Sequence, residues 1–400
     1  MNEFFKLKLY KSLLPQFYST LKLLKKIMLI SLLLSLSCPE IFPQINSKLY
    51  IEDANVTGIK KFGDELWVAT YGNGIFKYSL KDDKWTNFST KSGNLDFDFF
   101  YTIEVNKDYV WAGSSEGLFI YNKKSNNWRK RRFAQGGQWG NWIRSLLYDK
   151  SENILWIGRF IDLTKLDVKR NRYTDYDISI NKDPKSNNIK TIALDGDSLI
   201  WFGTESGVHI FDKKKDPADK SAWRYINNRV DAGFNGDGDA VSVSDILFEG
   251  ENVWFATDEF VTRTEPEFNI GGVYRYNRKF RWDRISTTNG LPANGVYCLE
   301  RTGNQIWASL YSFDRDEKTE YGKGLVIINR FNGKVTPVDL NNIKIETAKI
   351  SCIYFDGTYL WLGTDKGLNR ILIANPLAEW SDTKTAGKKG LKETSIKRIN

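Results

Sequence analysis

The 400 residues offer little material for metal or histidine chemistry. There is one histidine, His209, and there are three cysteines, Cys38, Cys298 and Cys352. That nearly removes zinc centres and leaves at most one histidine-based catalytic arrangement. His209 lies in the apolar run Val208-His-Ile-Phe211 with no acid–base partner at a suggestive spacing, so it reads as a strand residue. Carboxylates are plentiful, at 49 Asp plus Glu. A hydrolase or lyase working with carboxylates alone therefore stays open; it would need two acids about 5–10 Å apart. The aromatic residues are more informative. The segment Gln135-Gly-Gly-Gln-Trp139-Gly-Asn-Trp142-Ile-Arg144 concentrates two indoles and a guanidinium. Aromatic faces stack on sugar rings or peptide groups, and a guanidinium fork matches a carboxylate or sulfate. Phe99, Trp139, Trp142, Arg144 and Arg159, with Asn188 beside them, form the candidate binding patch. The alternative is that Trp142 caps a hydrophobic layer and the arginines pair with local acids. A second candidate is Asn235-Gly-Asp237-Gly-Asp239 with Asp231 before it, which has the alternating oxygens of a calcium loop but no closing Glu.

These residues need a scaffold, and the chain is built of repeats. An apolar residue, Trp and a second apolar or small residue, usually followed by Gly/Ala-Thr/Ser, recur seven times. The tryptophans are Trp67, Trp111, Trp156, Trp201, Trp254, Trp307 and Trp361, spaced by 44, 45, 45, 53, 53 and 54 residues. Before each Trp strand stands an apolar pair three residues apart, such as Val56/Ile59 and Ile350/Ile353. That spacing points to both faces of a strand and implies burial on both sides. After it, Gly74, Gly117, Gly207 and Gly367 suit the left-handed position of a tight hairpin. A third strand follows, then a fourth carrying Trp85, Trp128, Tyr173, Trp223, Trp282 or Trp380. Seven four-stranded sheets with two apolar faces and no helical pattern between them bury those faces by closing radially. The expected fold is an all-β, seven-bladed β-propeller of antiparallel blades.

The runs Ile200-Trp-Phe-Gly-Thr-Glu-Ser-Gly-Val208 and Leu360-Trp-Leu-Gly-Thr-Asp-Lys-Gly-Leu-Asn369 resemble the two-component regulator propeller repeat. The resemblance covers about residues 55–380. It implies a sensor-like propeller of the kind found in the periplasmic regions of hybrid histidine kinases and in stand-alone exported proteins. The further β domain, membrane span and kinase that follow such propellers are not in this sequence, so signalling through its own kinase is not expected.

Alternation of strand direction brings the second-to-third hairpins and the inter-blade connections to one face. All the enlarged loops are of those kinds: 134–142, 228–240, 258–271 and 310–323. One elaborated face is the mark of a scaffold with a single working side. Blade 3 also departs from the motif there, with Arg159 in place of Thr or Ser and no hairpin Gly. Cys298 and Cys352 occupy one repeat position in adjacent blades, where the other blades carry Gly58, Thr102, Ser145, Thr191 and Asp245. Crowding near the axis explains them, and an oxidising compartment would also permit a disulfide.

The ends of the chain carry its charge. Of the net +9, residues 1–37 hold +5 and residues 381–400 hold +4, so the body is neutral. A nucleic-acid footprint would be a basic face on the fold, and nucleic acid is rejected as a partner. Ile27–Leu36, preceded by Lys22, Lys25 and Lys26 and followed by small residues, reads as a signal peptide over 1–37, too short to span a bilayer. Cys38 lies just after the cleavage point, so lipidation competes with ordinary cleavage. The propeller is expected over 45–380 and a solvated basic tail over 381–400. Blade 7 could be completed by the Trp380 strand, the favoured reading, or by Leu49-Tyr50-Ile51 clasping the two ends together. Two functions remain. One is an exported, non-catalytic propeller binding a glycan fragment or a segment of an envelope protein. The other is a polysaccharide-acting enzyme using carboxylates at the channel mouth.

Overall fold

The computed structural model describes residues 47–133, 136–228, 233–237, 241–261, 269–373 and 375, all within the compact unit Ile45–Asn400. They form seven four-stranded antiparallel sheets. In blade 1 the strands are Val56–Phe62, Glu65–Thr70, Ile75–Ser79 and Lys84–Phe88, paired in that order. The first strands of successive blades adjoin one another around an axis, the seventh beside the first. This is the expected closed propeller.

Burial of the repeated tryptophans holds the blades together. All seven are at most 2% exposed, and Trp67 packs between Phe88 of its own blade and Tyr121 of the next, at 5.7 and 5.5 Å. Each buried ring of this size removes enough apolar surface to stabilise the fold by about 2–3 kcal/mol. The indole N–H then needs an acceptor. Glu65, Asp195 and Asp356 supply it to Trp67, Trp201 and Trp361 at 3.1, 3.1 and 2.9 Å, and Thr302 does so for Trp307 at 2.7 Å. Several of these acids also take a cation from the following blade. Lys123 reaches Glu65 at 2.8 Å, Arg278 reaches Asp195, and Arg330 reaches Glu249, which accepts the Trp254 indole at 3.5 Å. One carboxylate thus satisfies a buried donor and latches two blades.

The first strands share an irregularity. In every blade the register to the second strand slips by one residue at the same point. The extra residues are Thr57, Tyr101, Arg144, Lys190, Ser244, Tyr297 and Ser351. A bulge re-aims a side chain, and here it aims toward the neighbour. The Thr57 hydroxyl donates to Phe100 O at 2.8 Å, the Ser244 hydroxyl to Val296 O at 2.5 Å, and Arg144 and Lys190 reach blades 4 and 5.

Ring closure differs from the favoured expectation. The outer strand of blade 7 is Lys48–Tyr50, paired with Gly367–Leu372; Trp380 lies outside the described residues. Tyr50 decides the matter, because its ring meets Tyr78, Trp85 and Trp361 at 5.7–5.8 Å and bridges blades 7 and 1. The predicted tryptophans and Tyr173 do stand on outer strands in blades 1–5, whereas blade 6 has only the short strand Val335–Pro337.

Candidate functional site

The face carrying the second-to-third hairpins and the inter-blade connections, called the upper face, holds the candidate patch. Motif residues explain why most hairpins there are plain. Thr70, Ser114, Thr204 and Thr364 donate their hydroxyls to the carbonyls of Gly74, Gly117, Gly207 and Gly367 at 2.7–3.0 Å. Gly117 adopts φ +115°, and a Cβ there would lie 2.3 Å from Arg131 O, so only glycine fits.

Blade 3 spends this position differently. Arg159 is wholly buried, which corrects the expectation that its guanidinium faces a ligand. It donates to Gly140 O at 2.9 Å, sits 3.1 Å from Asp175 and 3.5 Å from Asp162, and lies 4.7 Å from the centre of the Phe133 ring. Burial disfavours its charge and lowers its pKa, although Asp175 and Asp162 act against that. Its role is to hold the short helix Gly137–Asn141, which carries Trp139 outward.

The other patch residues do come together. Trp139 is 46% exposed and Phe99 40%. Trp142 stacks on Phe160 at 5.1 Å and 8°, with Trp139 at 4.9 Å from Phe160 and 5.7 Å from Trp142. Tyr101, the bulge residue of blade 2, lies 5.5 Å from Trp142 and 5.7 Å from Tyr71. Tyr71 in turn meets Phe99 edge-on at 4.9 Å. The result is one aromatic ribbon across blades 1, 2 and 3. Sequence reasoning missed Tyr71, Tyr101 and Phe160. Tyr101 was legible as the repeat equivalent of Arg144; Tyr71 and Phe160 follow the motif Thr and the anomalous Arg159.

Arg144 borders the ribbon, 5.9 Å from the Trp142 ring centre. It donates to Asn188 Oδ1 at 2.7 Å and faces Glu205 at 3.2 Å. Asn188 is itself buried and supports Arg144 from below. The buried Nδ2 of Asn188 and Nε1 of Trp142 have no partner. Across the mouth, blades 5 and 6 raise a wall. The blade 6 strands Gln305–Asp314 and Thr319–Asn329 run past the sheet, and the amide of Phe313 donates to Glu259 at 2.6 Å. There Tyr297 stacks on Tyr311 at 4.3 Å, and Tyr311 donates to Asp258 at 3.0 Å.

The two perturbed channel carboxylates serve the fold. Burial pushes Asp245 up to about 6 and Glu300 up to about 7. Asp245 nevertheless accepts the amides of Ile246 and, across the blade boundary, Leu299, both at 2.9 Å. Glu300 accepts the amides of Arg301 and, in blade 7, Phe355 at 2.8 and 3.0 Å. Each therefore staples two inner strands. Cys298 and Cys352 are free thiols. Burial pushes Cys352 up to about 12 and Cys298 well above its usual range.

Of the calcium candidates, Asp231 and Asp239 lie outside the described residues. Asn235 is exposed, while Asp237 accepts Tyr274 at 3.0 Å and faces Arg284 at 3.6 Å. Phe234 anchors this loop against Trp282 at 4.9 Å. Among the described residues no group of three His, Cys, Asp or Glu side chains is placed to hold a metal ion.

No protein-family profile matches the chain. A histidine kinase, P4, from Formosa agariphila is 27% identical over 191 residues, covering 43% of this chain and 14% of the kinase. Among solved structures, the chain is similar to the extracellular domain of a protein assigned to the hybrid two-component systems of B. thetaiotaomicron. That similarity has a TM-score of 0.60 and 17% identity, covering 82% of this chain and 40% of that one. It is also similar to PorZ, a surface component of the type-IX secretion system of Porphyromonas gingivalis, with a TM-score of 0.55 and 15% identity over 78% of this chain and 46% of that one. The chain thus spans less than half of each of these proteins. The class that the fold defines is a seven-bladed β-propeller of four-stranded antiparallel blades, a fold it shares with these structures. Among the described residues no helix is long and apolar enough to cross a membrane.

Proposed function

We propose that this is an exported, non-catalytic recognition propeller that takes a glycan fragment or an envelope-protein segment on its upper face. The observation that carries this reading is the continuous aromatic ribbon, with Tyr71, Phe99 and Trp139 each at least 40% exposed. Exposed aromatic faces beside the Arg144 guanidinium suit a ring or peptide plane bearing oxygen acceptors. The extracellular setting of the similar structures supports export. The engagement of Asp245 and Glu300 by backbone amides favours binding over the carboxylate-enzyme alternative.

A thermal-shift screen against neutral and anionic oligosaccharides, short peptides and calcium, repeated with Trp139→Ala and Trp142→Ala, tests this. A ligand-specific rise in melting temperature lost in both variants is expected. A well-folded protein that shifts with no oligosaccharide would remove the glycan reading and leave a protein partner. A calcium shift would assign the 231–239 loop, and turnover of an oligosaccharide abolished by Glu300→Gln would establish the enzyme instead.

A further inference from the structure

The face opposite the mouth carries a repeat of its own. Each third-to-fourth hairpin of blades 2–6 is opened by Asn122, Asp167, Asp212, Asn277 or Asn329. Their side-chain oxygens accept tip amides at 2.9–3.1 Å, as in Asx-turns. This turn sorts the next two positions. The first is turned inward and, as Lys123, Lys213, Arg278 and Arg330, latches onto an acid of the preceding blade. The second points out. It is Lys124, Lys169, Lys214 and Lys279 in blades 2–5 and Phe331 in blade 6, all exposed; Lys81 takes the same place in blade 1.

These five lysines form no ion pair among the described residues, although the same face also exposes acids: Asp82 and Asp83 beside Lys81, and Asp64, Asp108, Asp197 and Glu251 on the first-to-second hairpins. Asp167 pairs with Arg170, and Asp216 and Asp219 accept the amides of Ala218 and Ser221. Among the described residues the two most exposed large apolar side chains, Phe280 at 83% and Phe331 at 64%, stand on adjacent hairpins of the same rim. The last strand of blade 7 also ends on this face, at Leu372, and the sequence beyond it is rich in lysine. Although the body has no net charge, the third-to-fourth tips of blades 2–6 carry more cations than acids, and this outer rim is basic.

We propose that this rim docks the propeller onto the surface of an anionic lipid bilayer, leaving the aromatic mouth facing away. The argument is geometric. Equivalent positions of a radial repeat share one height on the disc, so the lysines and Phe331 present a planar array, with Phe280 next to Lys279 on the same tip. A planar array matches a planar sheet of phosphates better than a curved or pocketed partner. Lysines near such a surface are attracted by its potential, and exposed phenylalanines enter the headgroup boundary.

The test is co-sedimentation of the full chain with phosphatidylglycerol-rich and pure phosphatidylcholine vesicles. The rim variant Lys124→Glu, Lys169→Glu, Lys214→Glu, Lys279→Glu is compared with an upper-face control, Lys91→Glu, Lys185→Glu, Lys318→Glu, Lys366→Glu. The common N-terminal segment cancels in this comparison. Wild type is expected to prefer anionic vesicles, the rim variant to lose more than about tenfold of that partitioning, and the control to stay within about twofold. Equal losses in the two variants, no preference for anionic lipid, or binding to soluble heparin without binding to vesicles would each overturn the proposal. If the rim variant does not melt like wild type, Phe280→Ser with Phe331→Ser supplies the comparison, with the same loss expected.

Discussion

The guanidinium of Arg159 and the carbonyl of Gly140 lie 2.9 Å apart, in a setting where Arg159 has no exposed surface. That contact joins the end of a blade 3 strand to the helix that carries Trp139. Residue 159 is therefore a positioning residue beneath the recognition surface.

Arg159→Ala should consequently cost about 3–5 kcal/mol, because it leaves the partly buried Asp162 and Asp175 without their cation. Trp139→Ala, on the surface, should stay within about 0.5 kcal/mol while abolishing recognition. Chemical denaturation of the two variants checks this, and amide exchange over 137–141 should rise in Arg159→Ala beyond its global loss. Equal stabilities would show that the buried guanidinium is dispensable.

His209 sets an acid limit on stability. It is fully buried, its ring lies 4.7 Å from that of Tyr225 at a tilt of 33°, and neither ring nitrogen has a partner. Burial pushes its pKa down to about 3 from an ordinary 6.5, against a smaller opposing pull from Asp183. The folded value lies below the unfolded one, so the unfolded chain takes the proton first. Stability is then complete above about pH 6.5 and falls by about 1.4 kcal/mol per unit toward pH 3. His209→Phe, matching Phe76 and Phe119 at the same repeat position, should flatten that slope in denaturant midpoints measured from pH 7 to 4. An unchanged slope would assign it elsewhere.

Lys213 and Asp149 form the most enclosed latch, at 3% and 0% side-chain exposure. Burial alone would raise the Asp149 pKa, but the hydrogen bonds from Lys213 and Ser151 outweigh it and hold the carboxyl below its usual range. Its contribution is present above the ordinary carboxylate value and is lost as pH falls through the lower, folded one. Asp149→Asn should cost about 3–5 kcal/mol at neutral pH by stranding the buried ammonium. Lys213→Met together with Asp149→Leu should recover most of it, which a double-mutant cycle in urea would measure.

Closure depends on one aromatic ring. Tyr50→Ala should destabilise the propeller by about 3–5 kcal/mol and should raise amide exchange first in Gly367–Leu372 and in blade 1. Retention of wild-type melting temperature would mean that the three-residue strand does not hold the ring.

How much of this was legible follows from the range of each interaction. The seven blades, the hairpin glycines and the elaborated face depend on residues within one repeat, where spacing and turn chemistry act locally, and these were read correctly. The turn-opening Asn and Asp residues followed by lysine are equally local; the net charge masked them, because acids in the inner turns cancel the latching cations. Other features depend on residues far apart in the chain. Asp175 and Gly140 draw Arg159 inward, and no motif tells a guanidinium at a strand end whether it meets solvent or a buried acid. The ribbon needs three blades turned to bring Tyr71, Tyr101 and Trp142 edge to edge.

By itself, the sequence determined the blade, the number of blades and the face that bears the loops, because a repeat encodes its own neighbours. Only the tertiary structure decided that Lys48–Tyr50 closes the ring and that Arg159 supports the mouth from within. Each depends on closing a loop of many residues, and its energy comes from surfaces that exist only once all seven blades are assembled.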